Sequence, residues 1–344
     1  MSKSFDDRKS KIEVPSVHIR PDWYLPDSAA TEEGEYRSRR EFIRTLGLGA
    51  VGVGALGIGC ARADGGEDTK EEKPSESPEP TADLYPATRN TQFGVERAMT
   101  DEKTVLTYNN FYEFSERKER VHKLVDRFRT HPWEITIDGL VEKPMTTTVE
   151  EIARMIPLEE RVYRFRCVEA WAMTVPWTGF PLASLLRMVQ PKSEATHVRL
   201  LSFHRPDEAP NQKEATWYRW PYYEGLRIDE AMNELTLAAT GIYGRPLPKQ
   251  SGAPLRVILP WKYGFKGPKS IVRIELVKKQ PTTFWNDLAP REYGFYGNVE
   301  PEVSHPRWSQ ATERLLGSGE RVDTRIYNGY GDYVAAMYPP GYGT

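Results

Sequence analysis

Cys167 sits in the stretch YRFRCVEAWAMTVPW, residues 163–177, with Arg164 and Arg166 before it, Glu169 two positions on, and Trp171 and Trp177 behind. The chain has 2 cysteines. The other, Cys60, falls in a segment with the layout of a removable leader, so a structural disulfide between the two is not expected. Three chemistries are open to such a thiol. It can be a small apolar side chain in the core, a nucleophile served by a base, usually histidine, or a soft metal ligand. The histidines, His18, His122, His131, His197, His204 and His305, are scattered and show no zinc-ligand spacing. The body of the chain offers no second cysteine for a zinc or iron–sulfur site.

Composition excludes some partners. A formal net charge of -2 and a pI near 6.4 give no sign of a nucleic-acid binder. Hydrophobic residues at 39% and charged residues at 28% suit a soluble globular protein. Ser38, Arg39, Arg40, Glu41 and Phe42 precede an apolar run from Leu46 to Ile58 that is rich in Gly and Ala. This is the charged-then-apolar order of an export signal of the twin-arginine type. The run is shorter than the roughly 20 residues of a membrane span, and its glycines weaken a membrane helix. Ala61, Arg62 and Ala63 form an A-x-A site for cleavage at 63/64, whereas LGIGC offers a poor lipoprotein box with cleavage at 59/60 and lipidation of Cys60. Both stay open. Residues 1–63 are therefore expected to be a leader recognised by the twin-arginine export machinery. Residues 64–84, rich in Pro, Ser and acids, are expected to be a disordered tether.

From about residue 85 to 344 the pattern predicts one α+β domain with mixed sheets. WEITIDG reads as a strand with Trp133, Ile135 and Ile137 on one face. After a glycine turn, Thr148 takes the N-cap position of a helix with Glu151 completing a capping box, and Ile152, Met155 and Ile156 give its apolar side. ATHVRLLSF, PLRVILPW and IVRIELVK read as further strands, and FPLASLLRMV as a short helix. Between residues 85 and 344 there is no G-x-G-x-x-G, P-loop or internal repeat.

A thiolate as sole protein ligand makes sense where the cofactor brings the remaining ligands, as the molybdopterin dithiolene does with its two sulfurs. YNNFYEF (108–114), RFRCVEAWAMTVPWTGFPL (164–182), GAPLRVILPWKYGFKGPKSI (252–271), EYGFYGNV and HPRWSQATER occur in that order. They resemble the molybdopterin enzymes of the sulfite oxidase fold. More narrowly they resemble the bacterial protein-methionine-sulfoxide reductase catalytic subunits, the MsrP family, over about residues 90–320. The resemblance implies Mo-molybdopterin as cofactor and Cys167 as its molybdenum ligand. It implies Asn109, Tyr112 and Glu113 against the pterin, and Ser202 where the family has a threonine. Arg256 and the run Gly267, Pro268, Lys269 would hold the phosphate end, where a guanidinium fork and backbone N–H groups suit an oxyanion. Ser251 replaces the family's asparagine and reaches less far, and Pro268 cannot donate a backbone hydrogen bond.

Glu169 bears on the substrate. A carboxylate beside the metal ligand would repel sulfite, a dianion, and suits a neutral sulfoxide. The alternatives are a structural ion pair of Glu169 with Arg164 or Arg166, and sulfite or another oxyanion as substrate of the same cofactor. The resemblance implies reduction of methionine sulfoxide by oxygen-atom transfer, with Glu169 tuning the site or relaying protons. C-x-x-C-H is absent, so no haem is expected on this chain. The implied electron source is a membrane haem-binding partner drawing on quinones. Oxidised exported proteins are the implied clients, met in the periplasm or at the outer face of the cytoplasmic membrane.

Overall fold

Period-two alternation builds the first of two sheets in the computed structural model, which describes residues 80–338. Its order is β2 (Met145–Thr148), β1 (Glu134–Gly139), β10 (Ile271–Val277), β5 (His197–Ser202) and β6 (Tyr223–Arg227). Trp133, Ile135 and Ile137 point into the core as the alternation requires, while Glu134 is exposed. β10 pairs in parallel with β1 and antiparallel with β5. This gives the mixed α+β class that the sequence predicts. β2 is an addition: MTTT, which the sequence reading passes over as a turn, pairs antiparallel with β1 through Glu134–Thr148 and Ile137–Met145.

Helix starts follow their caps. The Asp101 carboxylate accepts from the Thr104 N–H at 3.0 Å and opens α1 (Glu102–Thr107). Thr148 and Glu151 form the expected capping box at α2 (Val149–Met155). The apolar side of α2 differs from expectation at one position, since Met155 is 49% exposed while Val149, Ile152, Ala153 and Ile156 are buried. At about 100° per residue those four span one arc, and Met155 falls well to its side. In α3 (Leu182–Val189) Leu182, Leu185, Leu186 and Val189 recur at helical spacing and are buried.

The second sheet carries Cys167. β3 (Glu159–Arg166) runs antiparallel to β4 (Trp171–Pro181), from Glu159–Gly179 to Arg166–Ala172. β4 also pairs antiparallel with β7 (Leu237–Ile242) near its end and in parallel with β11 (Thr312–Leu315) near its start. β8 (Arg245–Pro246) and β9 (Arg256–Ile258) pair with β7, and β12 (Arg321–Asp323) with β11. PLRVILPW thus yields a strand of only three residues. FPLASLLRMV divides between the end of β4 and α3.

The described residues lie within one compact unit, Pro74–Thr344. The expected leader, Cys60 and residues 64–79 of the expected tether lie outside the described residues. Residues 80–84 do not behave as tether. The Arg154 guanidinium donates to the Pro80 carbonyl at 2.7 Å and to both Asp83 oxygens at 2.8 and 2.9 Å, so the ordered body reaches back to Pro80.

Thr148→Ala removes the cap of α2 and is expected to lower the unfolding free energy in urea by about 1 kcal/mol. Met155→Ala, on the exposed side, is expected to change it by less than about 0.5 kcal/mol.

Candidate functional site

Cys167 opens the four-residue turn that joins β3 to β4. Its N–H donates to the Trp171 carbonyl at 2.9 Å and its carbonyl accepts from the Ala170 N–H at 3.1 Å. Ala170 closes the turn in the left-handed region at φ 60. The turn aims both Cys167 and Glu169 into a cavity that Asn109, Tyr112, Trp177 and Arg256 also line. Asn110, from the segment after α1, donates to the Cys167 sulfur and to Glu169 Oε2, each at 3.4 Å. Glu169 Oε2 also accepts from the Trp171 indole at 3.1 Å and pairs with the Lys118 ammonium at 2.8 Å.

The Cys167 end is otherwise aromatic. Tyr108 meets Trp171 edge-on at 5.3 Å between centroids, Tyr112 meets Trp285 at 5.1 Å, and Trp285 leans on Tyr293 at 5.2 Å. All of these line the cavity, together with Phe165 and Phe265. Burial, and secondarily the charge of Glu169, pushes the Cys167 thiol up to about 12. A free thiol here would stay protonated at neutral pH and be a poor nucleophile. No histidine lines the cavity among the described residues. A metal cation at the sulfur would reverse this balance by removing the proton outright.

The opposite chemistry governs the part of the lining around Arg256 and Lys269, where cations are buried with no ion pair among the described residues, although the buried Glu113 carboxyl lies near Lys269. Arg256, at the start of β9, is 4% exposed. One of its nitrogens donates to the Ser251 carbonyl at 2.8 Å, while Nε and Nη2 have no partner. Its guanidinium lies 4.9 Å from the Trp177 ring centroid. Desolvation pulls Arg256 down to about 9. Lys269 lies in the same wall with its ammonium 5.5 Å from the Phe111 ring centroid, and makes no ion pair among the described residues. Burial, then the charge of Arg256, pulls Lys269 down, and burial pushes its neighbour Glu113 up. Asn109 Oδ1, Asn110 Oδ1, Ser251 Oγ and Trp177 Nε1 are also buried in this lining with no partner. Orphaned buried groups are expensive, and a cluster of them around a cavity marks a place for a polar, anionic guest.

Of the residues singled out from sequence, Cys167, Glu169, Asn109, Tyr112, Glu113, Ser251, Arg256, Pro268 and Lys269 come together in this lining. Ser202 and Gly267 stand behind it. Ser202, at the end of β5, is buried and donates to the Lys269 carbonyl at 2.6 Å, so it holds the backbone of a lining residue. Gly267 allows the loop to press on β9, since a Cβ there would lie 2.3 Å from the Val257 carbonyl oxygen. The alternative pairing of Glu169 with Arg164 or Arg166 does not occur. Those arginines share one face of β3, and Arg166 is turned into the protein against Glu313 at 3.0 Å. The sequence reading also missed Asn110, although it lies inside the quoted block YNNFYEF. It missed Lys118, which carries no local signal.

The donor set fits the cofactor that the resemblance implies. The lone sulfur suits a metal that brings its own further ligands. Among the described residues no cluster of three or more His, Cys, Asp or Glu is placed to hold a metal ion by itself. Arg256 and Lys269 suit a phosphate, and the unpaired amide and hydroxyl oxygens suit ring N–H groups.

Comparison with known proteins agrees. The family described as "Oxidoreductase molybdopterin binding domain" matches residues 122–285. The protein-methionine-sulfoxide reductase catalytic subunit MsrP of Burkholderia mallei is 45% identical over 318 residues, covering 91% of this chain and 93% of that protein. The MsrP of Gluconobacter oxydans is 54% identical over 245 residues, covering 70% of this chain and 78% of its own. Among solved structures, the sulfane dehydrogenase SoxCD of Paracoccus pantotrophus matches 57% of this chain and 45% of its own at 17% identity, with a TM-score of 0.39. Given near-half identity along most of both sequences, this chain belongs to the family of protein-methionine-sulfoxide reductase catalytic subunits, MsrP.

Proposed function

We propose that this chain is the catalytic subunit of a methionine sulfoxide reductase system, acting on protein-bound and free methionine sulfoxide with molybdopterin held at Cys167. One observation carries the choice of substrate. The cavity surface around Cys167 presents aromatic rings and one carboxylate, and among the described residues the only arginine in the lining is Arg256. Arg166, adjacent in sequence, is fully buried and spent on Glu313, Gln310 and Thr324. Lys118 approaches, but its charge is neutralised by Glu169. A sulfite dianion would find no ring of arginines around the sulfur, since Arg166 and Lys118 are both already paired. A neutral sulfoxide with an apolar S-methyl group meets rings that exclude water and grip the methyl.

When bound, molybdopterin supplies a two-electron couple that accepts an oxygen atom. The residues of the chain do the rest. Cys167 offers its thiolate to the metal. Arg256 and Lys269 anchor the anionic end, with Glu113 beside them. Asn109, Tyr112, Ser251 and Pro268 border the ring system. Ser202 and Gly267 support that wall from behind. Glu169 holds a proton-accepting oxygen 2.8 Å from the Lys118 ammonium at the substrate side, a placement suited to delivering protons to the departing oxygen.

The remaining features follow from the same reading. One molybdenum is held per chain, with no haem on it, so electrons come from a membrane haem-binding partner fed by quinones. Residues 1–63 are a twin-arginine leader, with lipidation of Cys60 as the alternative to soluble release, and the body works on exported proteins outside the cytoplasm. Arg39, Arg40 and the apolar run after them support this placement.

Anaerobic oxidation of a reduced viologen by the molybdenum-loaded protein tests the reading. Methionine sulfoxide, free or in an oxidised protein, is expected to drive turnover. Cys167→Ser is expected to lower it by more than the roughly 10–100-fold that loss of an outer partner costs a metal site. Turnover with sulfite and none with sulfoxide would assign the oxyanion chemistry instead. Glu169→Gln is expected to alter the pH–rate profile for kcat, and an unchanged profile would discard the proton role.

A further inference from the structure

The turn that carries Cys167 is held from behind by side chains from a distant part of the chain. Trp308 Nε1 and Gln310 Nε2 both donate to the Val168 carbonyl oxygen, each at 2.7 Å. That oxygen belongs to the same peptide unit as the Glu169 N–H, which donates to the Cys167 sulfur at 3.5 Å. Two donors on a carbonyl draw electron density from its amide and strengthen the N–H on the other side, since hydrogen bonds in a chain polarise one another. They also fix the plane of the peptide, and so the direction in which the N–H points.

The grip is itself anchored. Gln310 is 1% exposed, and its Oε1 accepts from Arg166 at 2.8 Å, which leaves its amide no freedom to flip. Arg166 donates to the Cys167 carbonyl as well, so the two successive carbonyls of the turn, 167 and 168, are both held. The Trp308 ring stacks on His305 at 3.8 Å between centroids and 8° between planes, which fixes the direction of its indole N–H.

We infer that Trp308 and Gln310 are positioning residues that act through the Val168–Glu169 peptide on the Cys167 sulfur, lowering its electron donation to the metal and so raising the reduction potential of the centre. Hydrogen bonds to a ligating sulfur are a recognised means of tuning a redox site. This rests on Cys167 as the metal ligand but not on the identity of the substrate.

The test needs no turnover. Trp308→Phe removes the N–H donor and leaves a smaller aromatic ring beside His305. Gln310→Met removes the second donor at similar volume, and with it one acceptor of Arg166, a loss of the kind that the control below reproduces. Thr324→Val is the control, because it breaks a 3.3 Å contact to the same Arg166 without touching the Val168 oxygen. In molybdenum-loaded protein, each of the first two substitutions is expected to lower the midpoint potential followed by electron paramagnetic resonance. Each is also expected to move the sulfur-to-metal charge-transfer band to longer wavelength, with the double variant shifting furthest and the control unmoved. A potential and band unchanged in Trp308→Phe, or moved equally by Thr324→Val, would overturn the inference. Should a variant fail to load, amide exchange at Glu169 in the metal-free protein decides. Faster exchange than in the parent supports the grip, and equal exchange rejects it. Absence of turnover with methionine sulfoxide, with these shifts still present, would count against the proposed substrate alone.

Discussion

The buried guanidinium of Arg166 is the joint on which the site depends. It is fully enclosed, and a charge in that position is tolerable only when every donor finds an acceptor. Glu313 supplies the counter-charge, itself shared with Arg97 at 2.7 Å. The Cys167 carbonyl, Gln310 and Thr324 take the remaining donors. Satisfying one arginine therefore ties the end of β3, the Cys167 turn and the segment from Gln310 to Thr324 into one unit. The thiol inherits its position from that requirement.

A second buried arginine is treated in the opposite way. Arg256 keeps two nitrogens without partners, and Lys269 beside it has no ion pair among the described residues. The contrast is informative because both arginines are in the interior of the same protein. Where the fold completes its own network, the cation is structural. Where the network is left open around a cavity, the missing partner is an anionic guest, and the free protein bears the desolvation cost until it arrives. One cavity thus joins two kinds of lining: cations without ion pairs, and a sulfur among aromatic rings and a neutralised carboxylate.

Two further buried pairs shape the floor beneath. Lys266 is enclosed against Glu224 at 2.6 Å, and Tyr222 links that carboxylate to the Phe265 carbonyl. Lys262 meets Glu230, Asn298 and the Tyr296 carbonyl within 2.8 Å. Both lysines lie in the segment between β9 and Lys269, whose residues Gly264, Phe265 and Pro268 line the cavity. Buried pairs of this kind add little net stability over apolar packing, but breaking either partner is costly, so they hold a loop to one geometry.

Local pattern determined a good deal by itself. Alternation placed Trp133, Ile135 and Ile137, and Thr148 with Glu151 announced the start of a helix, because side-chain period and capping involve neighbours a few residues apart. The ordered blocks around Cys167 pointed to the cofactor, and the two-residue step from Cys167 to Glu169 put a carboxylate near the thiol. Tertiary structure alone decided the rest. Lys118 reaches Glu169 across 51 positions, and Trp308 and Gln310 reach Val168 across 140 and 142. None of these pairs has a local signature, since each depends on which strands lie side by side. Whether a cation is paired, as Arg166 is, or left open, as Arg256 is, is likewise a property of the packed interior. The two arginines look alike in a sequence, and only the arrangement of acceptors around them separates a structural joint from a binding site.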